Sequence, residues 1–246
     1  MKRRDVLTLP GLLIVSTYSN ALDLGGALGA ATDAAKAASL TDDEVRKYAS
    51  QMAVYSDKQA KIAPADSPYA KRLTALAVPE DGGLRLNYKC YMTKEINAFA
   101  MADGTIRLYS GLMDMMTDDE LRYVIGHEMG HVKHGHTKKR MQTALATSAA
   151  QKGVAASGTK AGMLADSQLG NLMVSVVRAQ HSQGNEREAD DYSMQFMSRR
   201  KYDRKACVTA LEKLVKLSGG GETNWTSTHP SPKERAERMR QQLNKA

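Results

Sequence analysis

His127-Glu128-Met129-Gly130-His131 constrains this chain more than any other part of its 246 residues. At 3.6 residues per turn, positions 127 and 131 lie one turn apart on one helix face, so both imidazoles can reach a single metal. Glu128 projects from the adjoining side, within reach of a metal-bound water. With 6 His and 11 Glu in the chain, chance supplies this pattern roughly 0.006 times. The flanking residues agree on a helix. Thr117 and Glu120 form a capping box, and Leu121, Val124, Ile125 and Val132 give an apolar face.

The chemistry follows from the residue types. Zinc with three protein ligands and one open position brings bound water to a pKa of about 7 and polarises a carbonyl as a Lewis acid. Glu128 is then the general base, taking the water proton and later passing it to a leaving amine.

A third ligand is needed. The metzincin pattern requires Gly at 134 and His at 137, where this chain has His134 and Thr137, so that class is rejected. His134 and His136 follow too closely to be preferred ligands and suit the end of the helix instead. Asn185-Glu186-Arg187-Glu188-Ala189-Asp190-Asp191 is the better source. Glu186 and Asp190 are four residues apart and can share one helix face. Glu186 can bind the metal while Asp190 orients a ligand histidine through its other ring nitrogen; Glu188 points elsewhere. Taken alone, the segment is equally an acidic, solvated first turn.

The rest of the chain reads as α+β, mostly helical, with a small sheet or hairpin beside the HExxH helix. Thr41 and Glu44 cap a helix running to about residue 60, and a second short helix covers 69–77. Ala98–Met101 and Thr105–Tyr109 flank Asp103-Gly104 as a hairpin. From Thr117 onward helices are expected: two within 138–180 separated by a glycine-interrupted junction, then 186–200, 204–217 and 232–244. The last has Ser231 as N-cap, Pro232 at its first position and Glu234 three after the cap. The glycines across 153–170 fit a hinged lid or close helix packing.

Composition excludes other classes. Hydrophobic residues are 42% and charged residues 25%, as in ordinary globular chains. No 18-residue apolar run is present, which excludes a multi-spanning membrane protein. Thirty-five Lys and Arg against 27 Asp and Glu give +8, but the basic residues are scattered and no nucleic-acid module is legible. The charge leaves room for weak membrane-surface association and nothing more specific.

The N-terminus reads as an address. Lys2, Arg3 and Arg4 precede a short apolar run from Val6 to Val15, and Ser19-Asn20-Ala21 suits signal cleavage. The expected organisation is a signal peptide at 1–21, a flexible leader at 22–40 and a zinc metallopeptidase domain at 41–246. The mature protein is then periplasmic or secreted in a bacterium. In that oxidising setting Cys90 and Cys207 either pair or stay as separate buried thiols.

HEMGH, EREAD and the late THPSPKER resemble the HtpX-like family of zinc metallopeptidases, a gluzincin group. The resemblance runs from about residue 41 to 240. It implies His127, His131 and Glu186 as ligands of one Zn2+, Glu128 as the base and Asp190 behind a ligand. It also implies polypeptide substrates and a role in quality control of misfolded or unassembled exported proteins. Lipoprotein relatives carry an acylated cysteine at the signal-cleavage site; the first cysteine here is Cys90, so no lipid anchor is expected there.

In related zincins an exposed strand edge binds substrate as an added strand, which points to Asn97, Ala98, Phe99 and Ala100. His229, in Thr228-His229-Pro230, is expected in the site as a catalytic residue. It serves either as an oxyanion donor or, as in some relatives, as an occupant of the metal's open position. Arg235 pairs with a site carboxylate or, by preference, stays a solvated helix charge. Trp225 carries no signal. The competing class is a metal-containing periplasmic chaperone or assembly factor that binds unfolded polypeptide, against which the intact Glu128 argues.

Overall fold

Two capping boxes set the frame. In a computed structural model that describes residue 35 and residues 39–152, 166–218 and 224–245, Thr41 opens α1 (Asp42–Gln59) and Thr117 opens α4 (Asp118–Lys133), each exchanging bonds with the Glu three residues on. Each such cap stabilises its helix by about 1 kcal/mol. Ser67 caps α2 (Pro68–Leu76) with Pro at the first turn. The expected signal segment, most of the leader and the junction at 153–165 lie outside the described residues.

A small sheet follows. β1 (Glu80–Asp81) and β2 (Leu84–Arg85) pair antiparallel. β3 (Asn87–Tyr91), β4 (Ala98–Ala100) and β5 (Thr105–Tyr109) form a three-stranded sheet in the order β3-β5-β4. β4 and β5 are the expected hairpin, with Phe99 opposite Arg107, while β3 runs parallel to β5. Strand alternation then divides the core. Cys90, Ala98, Ala100, Ile106 and Leu108 face α4 through Leu121, Val124, Ile125 and Met129. Tyr91, Phe99 and Met101 face α1 through Val45, Ala49 and Met52, together with Met141 of α5 (His136–Lys152) and Leu169 and Leu172 of α6 (Asp166–Arg178).

Arg107, at 2% exposure, is the polar exception on that second face. Its guanidinium donates to both Asp57 oxygens at 2.8 and 3.0 Å, and Lys89 and Tyr91 donate to the same carboxylate. A buried charge is tolerated when paired and hydrogen-bonded in this way, and the network ties α1 to the sheet.

After α3 (Ser110–Met115) and α4, the chain continues through α7 (Gln183–Arg199), α8 (Ala206–Ser218), α9 (Asn224–Thr228) and α10 (Pro232–Lys245). Ser231 departs from the expected cap: its φ is 55°, outside the extended region an N-cap residue normally takes, and its carbonyl accepts from the Arg235 N–H. Cys90 and Cys207 are buried and unpaired.

The contact that decides function is α4 against α7. A Cβ on Gly126 would stand 2.7 Å from Ser193 Oγ, and one on Gly130 would stand 2.8 Å from Ala189 Cα. Glycine at both positions lets the two backbones approach, and Ser193 Oγ donates to the Tyr123 carbonyl at 2.7 Å. Gly130→Ala is therefore expected to push α7 outward, at a cost of about 1–3 kcal/mol. It should weaken metal retention as well, because the residues facing each other across this seam are those of the site. Unfolding midpoints with and without zinc check this; a variant matching the wild type in both would remove the seam from the argument.

Candidate metal centre

Three buried side chains meet across the α4–α7 seam. The Nε2 atoms of His127 and His131 are 3.0 Å apart. Glu186 Oε2 is 3.5 Å from His127 Nε2, and Glu186 Oε1 is 3.3 Å from His131 Nε2. Ligand atoms of a tetrahedral zinc with bonds of about 2.0–2.1 Å stand roughly 3.3 Å apart, so the spacing fits one ion. His229 completes the group: one donor atom from each of the four residues lies within 4.8 Å of the others. Glu186 Oε1, Glu128 Oε1 and His229 Nε2 are buried polar atoms with no hydrogen-bond partner among the described residues. Orphaned acceptors of this kind are costly unless something positively charged satisfies them.

The electrostatics agree. Burial, together with Glu186, pushes the Glu128 carboxyl up to about 8. Burial also lifts Glu186 to about 8, with Asp190 adding to the rise and Arg235 opposing it. Burial and the Arg235 charge bring His127 down to about 4. His131 and His229 are held well below the ordinary imidazole value by burial and by neighbouring imidazoles. Both shifts follow chiefly from burial, and imidazoles held neutral keep the ring-nitrogen lone pairs that a metal ion requires.

Behind the donor atoms, His127 Nδ1 faces Asp190 Oδ1 at 2.9 Å, as the i,i+4 spacing of Glu186 and Asp190 predicts. Tyr123 donates to the same oxygen at 2.8 Å. Arg235 is the main correction here. It is no solvated helix charge but is buried, donating to Asp190 at 2.9 and 2.7 Å and pairing with Glu186. Burial acts upward on Asp190, yet Arg235 and His127 hold its carboxyl well below the usual range.

Trp225 also corrects the sequence reading. It is fully buried and stacks on His229, with ring centroids 3.9 Å apart. His229 Nδ1 is fixed by Thr228 Oγ1 at 2.9 Å, leaving Nε2 directed toward Glu128 Oε1 at 3.5 Å. His136 does not end the HExxH helix but opens α5, and its Nδ1 is 3.0 Å from His131 Nδ1. His181 is a residue that the sequence did not single out. It stacks on His131 with ring centroids 3.7 Å apart, and its Nε2 contacts Arg140, a half-buried cation near Glu128 and Glu186. No spacing ties His181 to the HExxH, so no sequence signal marked it.

The strand expected to bind substrate is an edge strand, but a covered one. Ala98 and Ala100 are only 1% and 7% exposed, and the Ala100 N–H bonds the Glu128 carboxylate. The Trp225 backbone N–H donates to Ile96 O at 3.1 Å, which ties α9 to the chain just before β4. The expectation of an exposed strand at residues 97–101 fails for this arrangement: all five residues are buried, Ala98 and Ala100 in the core shared with α4.

Residues 69–243 match the description Peptidase family M48. The chain is 45% identical over 246 residues to Metalloprotease LoiP of Escherichia coli (strain K12), covering 99% of this chain and 98% of that protein. It is 36% identical over 241 residues to Metalloprotease YcaL of the same organism, covering 97% and 95%. It is 26% identical over 243 residues to the beta-barrel assembly-enhancing protease of Yersinia pestis, covering 90% of this chain and 47% of that protein.

Proposed function

The chain belongs to peptidase family M48 and is a metalloendopeptidase, and from that premise we propose that His127, His131 and Glu186 hold a zinc ion beside Glu128, the base for peptide hydrolysis. The observation that carries this reading is the 3.0–3.5 Å spacing of the three residues' donor atoms. Zinc bound there supplies Lewis acidity toward the scissile carbonyl and acidifies water. Glu128 accepts the proton as the water oxygen bonds to the carbonyl carbon, then returns it to the amide nitrogen as the C–N bond breaks. Asp190 fixes the ring of His127, and Arg235 keeps Asp190 ionised.

The arrangement reads as a closed resting form. His229 brings a fourth donor atom within 4.8 Å of the other three, where a catalytic site keeps an opening, and α9 is tied to Ile96 just before β4. Displacement of α9 with Trp225 and His229 would open both at once, so that Asn97 to Ala100 could pair with an extended substrate. His229→Ala is therefore expected to raise cleavage of an unfolded model protein, with zinc content near one per chain. A resting population about one-tenth open gives roughly a tenfold gain. A loss of about 10²–10³ in kcat would instead make His229 an oxyanion donor, and unchanged turnover would remove it from both roles.

The substrates we propose are exported polypeptides that are misfolded or unassembled. The signal-like pattern at 1–21 and the relative named as an assembly-enhancing protease support this reading, with the mature chain in the periplasm or secreted. No helix among the described residues is long and apolar enough to cross a membrane. Cell fractionation, with cleavage of one protein in folded and unfolded states, tests both parts; cytoplasmic retention or a preference for the folded state would sink them.

A further inference from the structure

The two histidines of the HExxH are held from behind in different ways. His127 Nδ1 meets a fully buried carboxylate directly. His131 Nδ1 meets another imidazole, His136 Nδ1, at 3.0 Å, and His136 Nε2 is 2.8 Å from Glu188 Oε2. Glu188 is 57% exposed at its side chain, so this arm reaches the protein surface.

One assignment of protons satisfies the chain. An ionised Glu188 only accepts, so His136 Nε2 carries a hydrogen and donates to it. Neutral His136 then has Nδ1 as an acceptor, and the hydrogen between the two Nδ1 atoms sits on His131. That leaves His131 Nε2 as a lone pair, on the side where His127 Nε2 and Glu186 Oε1 lie. His136 is fixed in place by fold as well: Gly135, at φ 73°, turns the chain after α4 so that α5 begins with His136 folded back under His131.

We propose that His136, anchored by Glu188, is a positioning residue that fixes the tautomer and ring plane of His131, so that an exposed carboxylate on α7 governs how tightly the metal is held. The proposal rests on His131 being a metal ligand. It makes the EREAD segment bifunctional, with Glu186 and Asp190 serving the site directly and Glu188 serving it through an imidazole. Orienting partners of metal-bound histidines typically contribute about 10–100-fold to affinity.

The test is zinc affinity, measured by competition with a chromogenic chelator on the full chain, for wild type, His136→Phe, His136→Asn, Glu188→Ala and, as a control, His127→Ala. His136→Phe keeps ring volume without an acceptor and should lose about 10–100-fold. Asn can accept from His131 through its oxygen and donate to Glu188 through its amide, so His136→Asn should stay close to wild type. Glu188→Ala, at an exposed position, should fold normally and lose affinity by a smaller factor, with the unfolding midpoint of the metal-free chain unchanged. Wild-type affinity in both His136→Phe and Glu188→Ala would overturn the proposal, as would a His136→Asn loss equal to that of His136→Phe, which would indicate packing alone. A wild type that binds no zinc, or a His127→Ala control that binds as well as wild type, would overturn the proposed metal centre and this inference with it.

Discussion

Glu128→Gln should abolish peptide cleavage while leaving zinc in place. The substitution keeps side-chain shape and removes only the ability to take and return a proton, a role worth about 10²–10⁴ in rate. Retention of metal is expected because His127, His131 and Glu186 supply the three donor atoms spaced for one ion, while Glu128 lies to the side with its Oε1 facing His229. The measurement is hydrolysis of an unfolded model protein by both chains at matched zinc content. Equal cleavage by both would reject Glu128 as the base. Because the closed arrangement could silence the wild type as well, the pair should also be compared in the His229→Ala background. If the doubly substituted chain cut as fast as His229→Ala alone, the base would lie elsewhere.

Arg235→Met should be the most destabilising single change near the site. Arg235 is buried between two carboxylates, donating to Asp190 at 2.9 and 2.7 Å and pairing with Glu186. Removing one partner of a buried ion pair leaves uncompensated charge and costs about 3–5 kcal/mol. For a chain of this size that lowers the unfolding midpoint by roughly 10 °C. The loss should be greatest with a chelator present and smaller with zinc bound, since a dication beside Glu186 and His127 compensates the same carboxylates. Arg235→Lys should recover only part of the loss, because an ammonium cannot reproduce the planar fork that reaches both acids. A midpoint within a degree of wild type for Arg235→Met, with chelator, would show that the network contributes nothing to stability.

Much of the fold was legible because it is written in local terms. Thr41 with Glu44 and Thr117 with Glu120 cap helices wherever they occur before an apolar periodic run, and both boxes form as expected. The hairpin around Asp103-Gly104 follows from turn chemistry and alternation. The four-residue spacings of His127 with His131 and of Glu186 with Asp190 fix which side chains share a face before any packing is known.

Other parts depend on distance along the chain being erased by packing. Arg235 reads as a surface charge on a polar helix, yet it lies against Tyr123 and His127, more than 100 residues earlier. Trp225 is one aromatic among polar residues, and only its burial in the folded chain makes it the platform for His229. His136 and His181 obey no helical spacing to His131, because Gly135 breaks the helix before the first and the second lies on the connection between α6 and α7. The burial of Ala98 and Ala100 is likewise invisible in the strand itself; it comes from the packing of that face of the sheet on α4.

The sequence by itself therefore determined the candidate residues: a two-histidine helix with Glu128 beside it, an acidic helix carrying Glu186 and Asp190, and the α+β frame. Backbone periodicity and capping act over a few residues, so they are fixed before the chain collapses. Tertiary structure alone decided how the candidate site is held, through Arg235 between two carboxylates, His136 behind His131 and His229 beside Glu128. The Arg235 and His229 contacts join segments distant in sequence, His136 depends on the turn at Gly135, and α7 reaches α4 only because Gly126 and Gly130 carry no side chain.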